Sequence, residues 1–351
     1  MLSNICFFSY INYRSDMYMK NFKISDYTFV SSKPSQEEEV IDYGVRMVGA
    51  PLEWKETMGE GIRVGIIDTG VCTSHPDLSS RIADGACFSG SYGIEDFNGH
   101  GTHVAGIVAA ERNGKGVVGV APKAELYIAK AFDKNGKTDY NAIEKSVLWL
   151  ANCKVDVINM SFSSSFTSAR YATLMRLAHR KGITMICAAG NEGLSGSDTI
   201  GYPASFDETI AVSAVDINKN IADFSSRGSA AEISAAGIDI YSTYLNGGYA
   251  LLSGTSMATP IITGAVALLQ AKGALRYNRR LTPDEIRLLL NIYTEDLSGF
   301  GRDDRYGYGL FSFGRISGSD YVDAERASRA VRERSDLSRA MAELVVAMLI
   351  N

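Results

Sequence analysis

Five short, nearly uninterrupted apolar runs recur along the chain: "IRVGIID" (62–68), "ELYIAKAF" (125–132), "VDVINMSF" (155–162), "ITMICAAG" (183–190) and "ETIAVSAV" (208–215). Runs of this length, apolar on both faces, predict buried parallel strands rather than helices. Helical patterns fall between them. Residues 139–154 place Ile143, Val147, Leu148 and Leu150 on one stripe, and 168–182 end in basic residues and a glycine. Residues 281–293 carry a full start signal, with Thr282 as cap, Pro283 at the first helical position and Glu285 completing a capping box. Strands alternating with helices predict an α/β fold: a doubly wound, mainly parallel sheet with helices on both faces. Sites in such sheets lie at the carboxyl ends of the strands.

With 351 residues, 46 % of them apolar, the chain can bury a full core. A net charge of −5 offers no basic face for nucleic acid. Three regions are expected: an N-terminal extension (1–45) with the polar linker "SSKPSQEEEV", a main domain (46–314), and a C-terminal tail (315–351) with amphipathic helical character. The five cysteines, Cys6, Cys72, Cys87, Cys153 and Cys187, form no CxxC pair or zinc spacing, which fits reduced thiols in the cytosol. The N-terminus lacks the basic region and small-residue cleavage site of a signal peptide, and the apolar runs are too short to span a bilayer.

Three residues carry the candidate chemistry. Asp68 ends an apolar strand, where a carboxylate is costly unless paired; it serves either the next turn or an imidazole N–H. His100 and His103 lie in "NGHGTHVAGIVAA" (98–110), a glycine-rich entry into a helix. His100 is placed either as a cap-proximal histidine or as a base, and no third residue makes a metal site with His103. Ser256, in "SGTSMATP", is either a helix cap or a nucleophile.

The motifs "GIIDTGV", "NGHGTHVAG" and "SGTSMATP" occur in the order Asp, His, Ser. From about Val48 to Leu310 the chain thereby resembles the subtilases, the subtilisin-like serine proteases. The resemblance implies a serine endopeptidase with Ser256 as nucleophile, His100 as general base, Asp68 holding the imidazole, and Asn191 of "CAAGNEG" donating to the oxyanion. His103 is then structural. Substrate is expected along Ser161, Phe162 and Ser163, where the family pattern Ser-Leu-Gly-Gly is replaced by Ser-Phe-Ser-Ser. Ala188, Ala189, Gly190 and Gly201 would line the P1 pocket, and these small walls favour a large apolar P1 side chain.

"HPDL" and "AAERNGKGVVGVAP" resemble the family's calcium loop, which implies structural Ca²⁺ held by the side chains of Asp77 and Asn113 and the carbonyls of Glu111, Lys115 and Val117. Ile261 stands where the family usually has His, and a packing change is expected there. The entry "EEEVIDYGVRMVGAPLEWKETMGEGIRV" is most similar to intracellular subtilisins, which implies a cytoplasmic enzyme, a possible homodimer, protein or peptide substrates, and no membrane or nucleic-acid partner. The β-prone segment 22–32 could occlude the cleft in a zymogen-like state by adding to the strand at 161–163. A non-catalytic subtilase-fold regulatory or binding protein, or another serine hydrolase on the same site, remains the alternative.

Overall fold

A computed structural model describes residues 22–24, 27–33, 38–299 and 301–315; the helical reading of the C-terminal tail lies outside the described residues. Nine strands form the main sheet, in the order Thr294–Glu295, Leu310–Phe311, Ala231–Ala236, Ile210–Val215, Thr184–Ala188, Val157–Met160, Arg63–Asp68, Glu125–Lys130 and Ile82–Cys87. Every neighbouring pair is parallel except the first. All five apolar runs are strands of this sheet.

The strand Arg63–Asp68 is the first of the sheet in the chain, yet it ends up between Val157–Met160 and Glu125–Lys130. The chain goes first to the edge strand Ile82–Cys87, returns to Glu125–Lys130 beside it, and then winds outward on the other side. The strand order therefore reverses at its carboxyl end, which opens a crevice there. Asp68 is the last residue of that strand.

Both faces of the sheet are covered. Val64 and Ile66 point into a core shared with the helices His100–Ala109 and Thr255–Tyr277, whereas Ile67 points into a second core with Tyr140–Asn152 and Ala169–Arg180. This alternation of inward directions along one strand explains its unbroken apolar sequence. The 23-residue helix Thr255–Tyr277 is long and apolar enough to cross a membrane, contrary to the reading of the apolar runs; Ser, Thr, Gly and Pro residues disguise it. Some 89 % of its apolar window is buried inside the protein. Ile261 is buried in that helix, and a Cβ on Gly44 would stand 2.7 Å from its Cδ1, so the residue packs against the start of the main domain.

The capping box before Pro283–Ile292 is complete, with Glu285 N–H donating to Thr282 Oγ1 (3.2 Å) and Thr282 N–H to Glu285 Oε2 (2.8 Å). Cys72, Cys87, Cys153 and Cys187 are free thiols.

Two small antiparallel sheets complete the described chain. One pairs Ile240–Thr243 with Tyr249–Ser253, and Tyr249–Ser253 with Thr28–Lys33; the other pairs Phe22–Lys23 with Lys137–Thr138. The N-terminal extension thus contributes strands on both sides of the crevice.

Candidate active site

Asp68 and His100 meet at the crevice. His100 lies in the first turn of its helix, and its Nδ1–H donates to Asp68 Oδ1 (2.8 Å) and Oδ2 (3.0 Å). Both side chains are buried. The close approach requires Gly101, because a Cβ there would stand 2.2 Å from Gly70 O and 3.1 Å from Asp68 Oδ1. Asp96 fixes the helix start: Oδ1 accepts from the N–H groups of Asn98 (2.9 Å) and Gly99 (3.0 Å), and Oδ2 accepts from Thr102 N–H (3.0 Å) and Oγ1–H (2.7 Å). His100 Nε2, the nitrogen facing away from Asp68, is buried with no hydrogen-bond partner among the described residues.

Ser256 does not cap its helix. Gly254 occupies the cap position without a side-chain bond, and Ser256 is the second helical residue. Its Oγ–H donates to Ser161 O (3.0 Å), while Ser161 Oγ–H donates to Ser256 O (2.9 Å). Behind this pair, Asn159 Nδ2–H donates to Ser161 Oγ (2.9 Å) and Thr263 Oγ1–H to Asn159 Oδ1 (2.9 Å), all buried. Asn191 is oriented from the same helix: its Oδ1 accepts from Thr255 N–H (3.0 Å) and Oγ1–H (2.9 Å). That leaves its Nδ2 on the side of Gly254, 3.2 Å from where a Cβ would stand. The sequence does not single out Asp96, Asn159, Thr255 and Thr263: Asp96 and Thr255 have ordinary capping uses near helix starts, and Asn159 and Thr263 meet only across the fold.

His103 is fully buried, and its Nε2–H is shared between Ile240 O and Ala250 O at 3.0 Å each. Burial pushes its pKa down to about 3, so it is a neutral tie between the helix and the hairpin strands.

Of the expected substrate residues, Ser161, Phe162, Ala188, Ala189 and Gly190 are buried along the crevice, with Ser163 and Gly201 half-buried. Gly190 N–H donates to Thr255 Oγ1 (3.2 Å), which brings that wall against the start of the Ser256 helix. The N-terminal extension lies here too. Lys23 pairs antiparallel with Ser163, and Ile24 N–H donates to Gly136 O (2.9 Å). Phe22 is buried among Phe162, Phe166 and Tyr171. The Tyr27 ring stands 5.1 Å from the His100 ring, its Oη–H donates to Asn98 Oδ1 (3.3 Å), and its Cβ is 3.6 Å from the Cβ position of Gly254. Among the described residues, the expected partner strand at 161–163 takes only the Lys23 pairing; the longer ladders run to 137–138 and 249–253.

Among the expected calcium ligands, Asp77 is buried and central. Its Oδ2 accepts from Val117 N–H (3.0 Å) and Tyr249 Oη–H (2.9 Å), and its Oδ1 from Asn113 Nδ2–H (3.1 Å). Glu111 N–H donates to Asp77 O (2.8 Å), and Lys115 N–H to Asn113 Oδ1 (3.1 Å). Glu39, not anticipated, reaches the same loop through Gly114 N–H (2.8 Å). Among the described residues, no three His, Cys, Asp or Glu side chains gather as a metal site.

The buried Asp68–His100 pair and Ser256 in the first turn of its helix are set in a mainly parallel α/β sheet, and the relatives of this chain make it a serine endopeptidase. Residues 59–309 match the subtilase family, and the chain belongs to it. It is 42 % identical over 277 residues to subtilisin DY of Bacillus licheniformis, covering 78 % of this chain and 97 % of that protein. It is 40 % identical over 261 residues to an intracellular serine protease of Paenibacillus polymyxa (72 % and 80 %), and 34 % identical over 333 residues to the minor extracellular protease Epr of Bacillus subtilis strain 168 (93 % and 50 %).

Proposed function

We propose that this subtilisin-like endopeptidase cleaves peptide bonds with Ser256 as nucleophile, inside the cell, and that its own N-terminal extension restrains it. The observation that carries the catalytic assignment is the His100 ring. Asp68 fixes Nδ1 as the protonated nitrogen, and Nε2 has no hydrogen-bond partner among the described residues. A neutral imidazole held this way takes the serine proton and returns it to the leaving amine, while Asp68 stabilises the imidazolium formed between the two steps. Ser256 Oγ must rotate from Ser161 O toward Nε2 as substrate enters. Asn191, its amide oxygen held by Thr255, donates through Nδ2 to the oxyanion.

The extension covers this machinery: Phe22, Lys23 and Ile24 follow the crevice, and Tyr27 stands over His100. Tethering gives it an effective concentration on the order of millimolar, so weak contacts suffice to exclude substrate. The relative named as an intracellular serine protease supports a cytoplasmic setting. Asp77 and Asn113, with the carbonyls of Glu111, Lys115 and Val117, would hold calcium as a structural ion. A buried carboxylate with no ion pair among the described residues suits a hard cation. Calcium would supply charge neutralisation and loop rigidity only.

The test is labelling with a fluorophosphonate probe, with Ser256→Ala alongside. Labelling at Ser256 and loss of peptidase activity in the variant are expected. A folded protein that neither labels nor cleaves peptides would favour the binding-protein alternative.

A further inference from the structure

The chain departs from its family where Ser163 replaces a glycine, and the structure places that side chain at a telling point. Its Oγ lies 2.2 Å from where a Cβ on Gly201 would stand and 3.2 Å from that of Gly190. It therefore takes up space between Gly190 and Gly201, in front of its own segment 161–163. Segment 161–163 accepts the Ser256 hydroxyl at Ser161 O, and Gly190 N–H donates to Thr255, the residue before Ser256. On the resemblance to the subtilases, the gap between 161–163 and 188–190 is the expected P1 pocket. Beside Gly190, the exposed Glu192 and the buried Ser226 place Oε2 and Oγ 2.5 Å and 2.8 Å from the Gly190 Cβ position, hydrogen-bonded to each other (3.1 Å).

We propose that Ser163 is a specificity-determining residue that truncates the P1 pocket, so that the enzyme cleaves after short side chains, alanine or serine, in preference to aromatic ones. This rests on the peptidase reading above and reverses the expectation of a large apolar P1 residue. Small walls alone leave room, but here the room is taken by a hydroxyl. An aromatic ring driven to that depth would meet Ser163 Oγ and strip water from it without offering a hydrogen bond in return. A methyl or hydroxymethyl group stops short of it. A polar-ended pocket discriminates well against a group that leaves its polar atoms unpaired.

The experiment compares kcat/KM on Phe-Lys-Ile-Ala and Phe-Lys-Ile-Phe p-nitroanilides, whose first three residues repeat the segment Phe22–Ile24 that the crevice already holds. The full chain is used, because a docked extension lowers both values by the same fraction and leaves their ratio untouched. Wild type should favour the alanine substrate by at least about tenfold. Ser163→Gly should raise the Phe:Ala ratio by at least about tenfold, and Ser163→Thr should lower it. Melting curves establish that each variant is folded. A wild-type preference for phenylalanine, or a ratio unmoved in both variants, would overturn the proposal while leaving the peptidase reading intact. Absence of cleavage of either peptide would fail the peptidase reading and the proposal with it.

Discussion

Replacing Phe22 with alanine should release the enzyme from its own extension. Phe22 is fully buried, and its ring meets those of Phe166, Tyr171 and Phe162 edge-on at 5.5, 6.0 and 6.5 Å. Burying a phenylalanine stabilises by about 1.5–3 kcal/mol, and an edge-on aromatic pair adds roughly 0.5–1.5 kcal/mol. All of this is present only when the extension is docked. A loss of about 3 kcal/mol from the docked state shifts the docked-to-open ratio on the order of 100-fold, at 1.4 kcal/mol per tenfold. The initial rate on a small chromogenic peptide, normalised by active-site titration, rises by that factor until the open form predominates. A chain beginning at Glu38 sets the ceiling. Beginning later, near Asp42, would also remove Glu39 and Val40, which bond to the 114–118 loop. If wild type, Phe22→Ala and the shortened chain are all folded and show equal initial rates, the extension does not inhibit and the reasoning is refuted.

Asn191→Ala should lower kcat by about 10²–10³ with little change in KM, the loss known for this donor in subtilisin itself; an unchanged kcat would remove Asn191 from the oxyanion role. Chelation with EDTA should lower the melting temperature of wild type, by mass action on an ion bound only to the folded state, and should not lower that of Asp77→Ala further. Equal wild-type melting temperatures with and without EDTA would dismiss the calcium site. Acid should destabilise the protein through His103. Its pKa falls from 6.5 to about 3 on folding because of burial, so between those values the unfolded chain binds the proton and the folded one does not. The stability is fully present above pH 6.5 and is lost as pH drops toward 3, by up to a few kcal/mol at about 1.4 kcal/mol per unit. Urea titrations across that window should be flatter for His103→Asn, and parallel slopes would show that other groups dominate.

The five strands read as apolar runs were legible because both faces of each are buried, so hydrophobicity needs no alternation to reveal them. Ile82–Cys87 was not, since as the edge strand it is half exposed and carries Asp84 and Gly85. Ala231–Ala236 escaped for another reason: its side chains are small, and its buried Glu232 is paired with Arg287 (2.9 Å), 55 residues later in the numbering. No local pattern announces such a partner. The same limit governs the site. Asp68, His100 and Ser256 each sit in a distinctive motif, but the groups that orient them act across the chain, with Thr263 reaching Asn159 and Tyr27 reaching His100. Tyr27 in particular reads as one β-prone residue among several until the fold brings it to the imidazole.

Pro260 shows how much of the site's logic depends on that long-range geometry. Proline inside a helix removes the N–H that would bond to the carbonyl four residues back, and that carbonyl belongs to Ser256. Left unpaired and buried it would be costly. Here Ser161 Oγ–H supplies the missing donor (2.9 Å), while Ser161 O accepts the Ser256 hydroxyl (3.0 Å). The break in the helix ladder thus ties the residue that bears the nucleophile to the segment along which the peptide lies. Replacing Pro260 with alanine would let the helix satisfy Ser256 O internally and free Ser161 Oγ to turn elsewhere. The helix would be better bonded, and the coupling between nucleophile and substrate segment would be weaker. A residue that lowers helix propensity in the first turns of this 23-residue core helix is accounted for by that coupling.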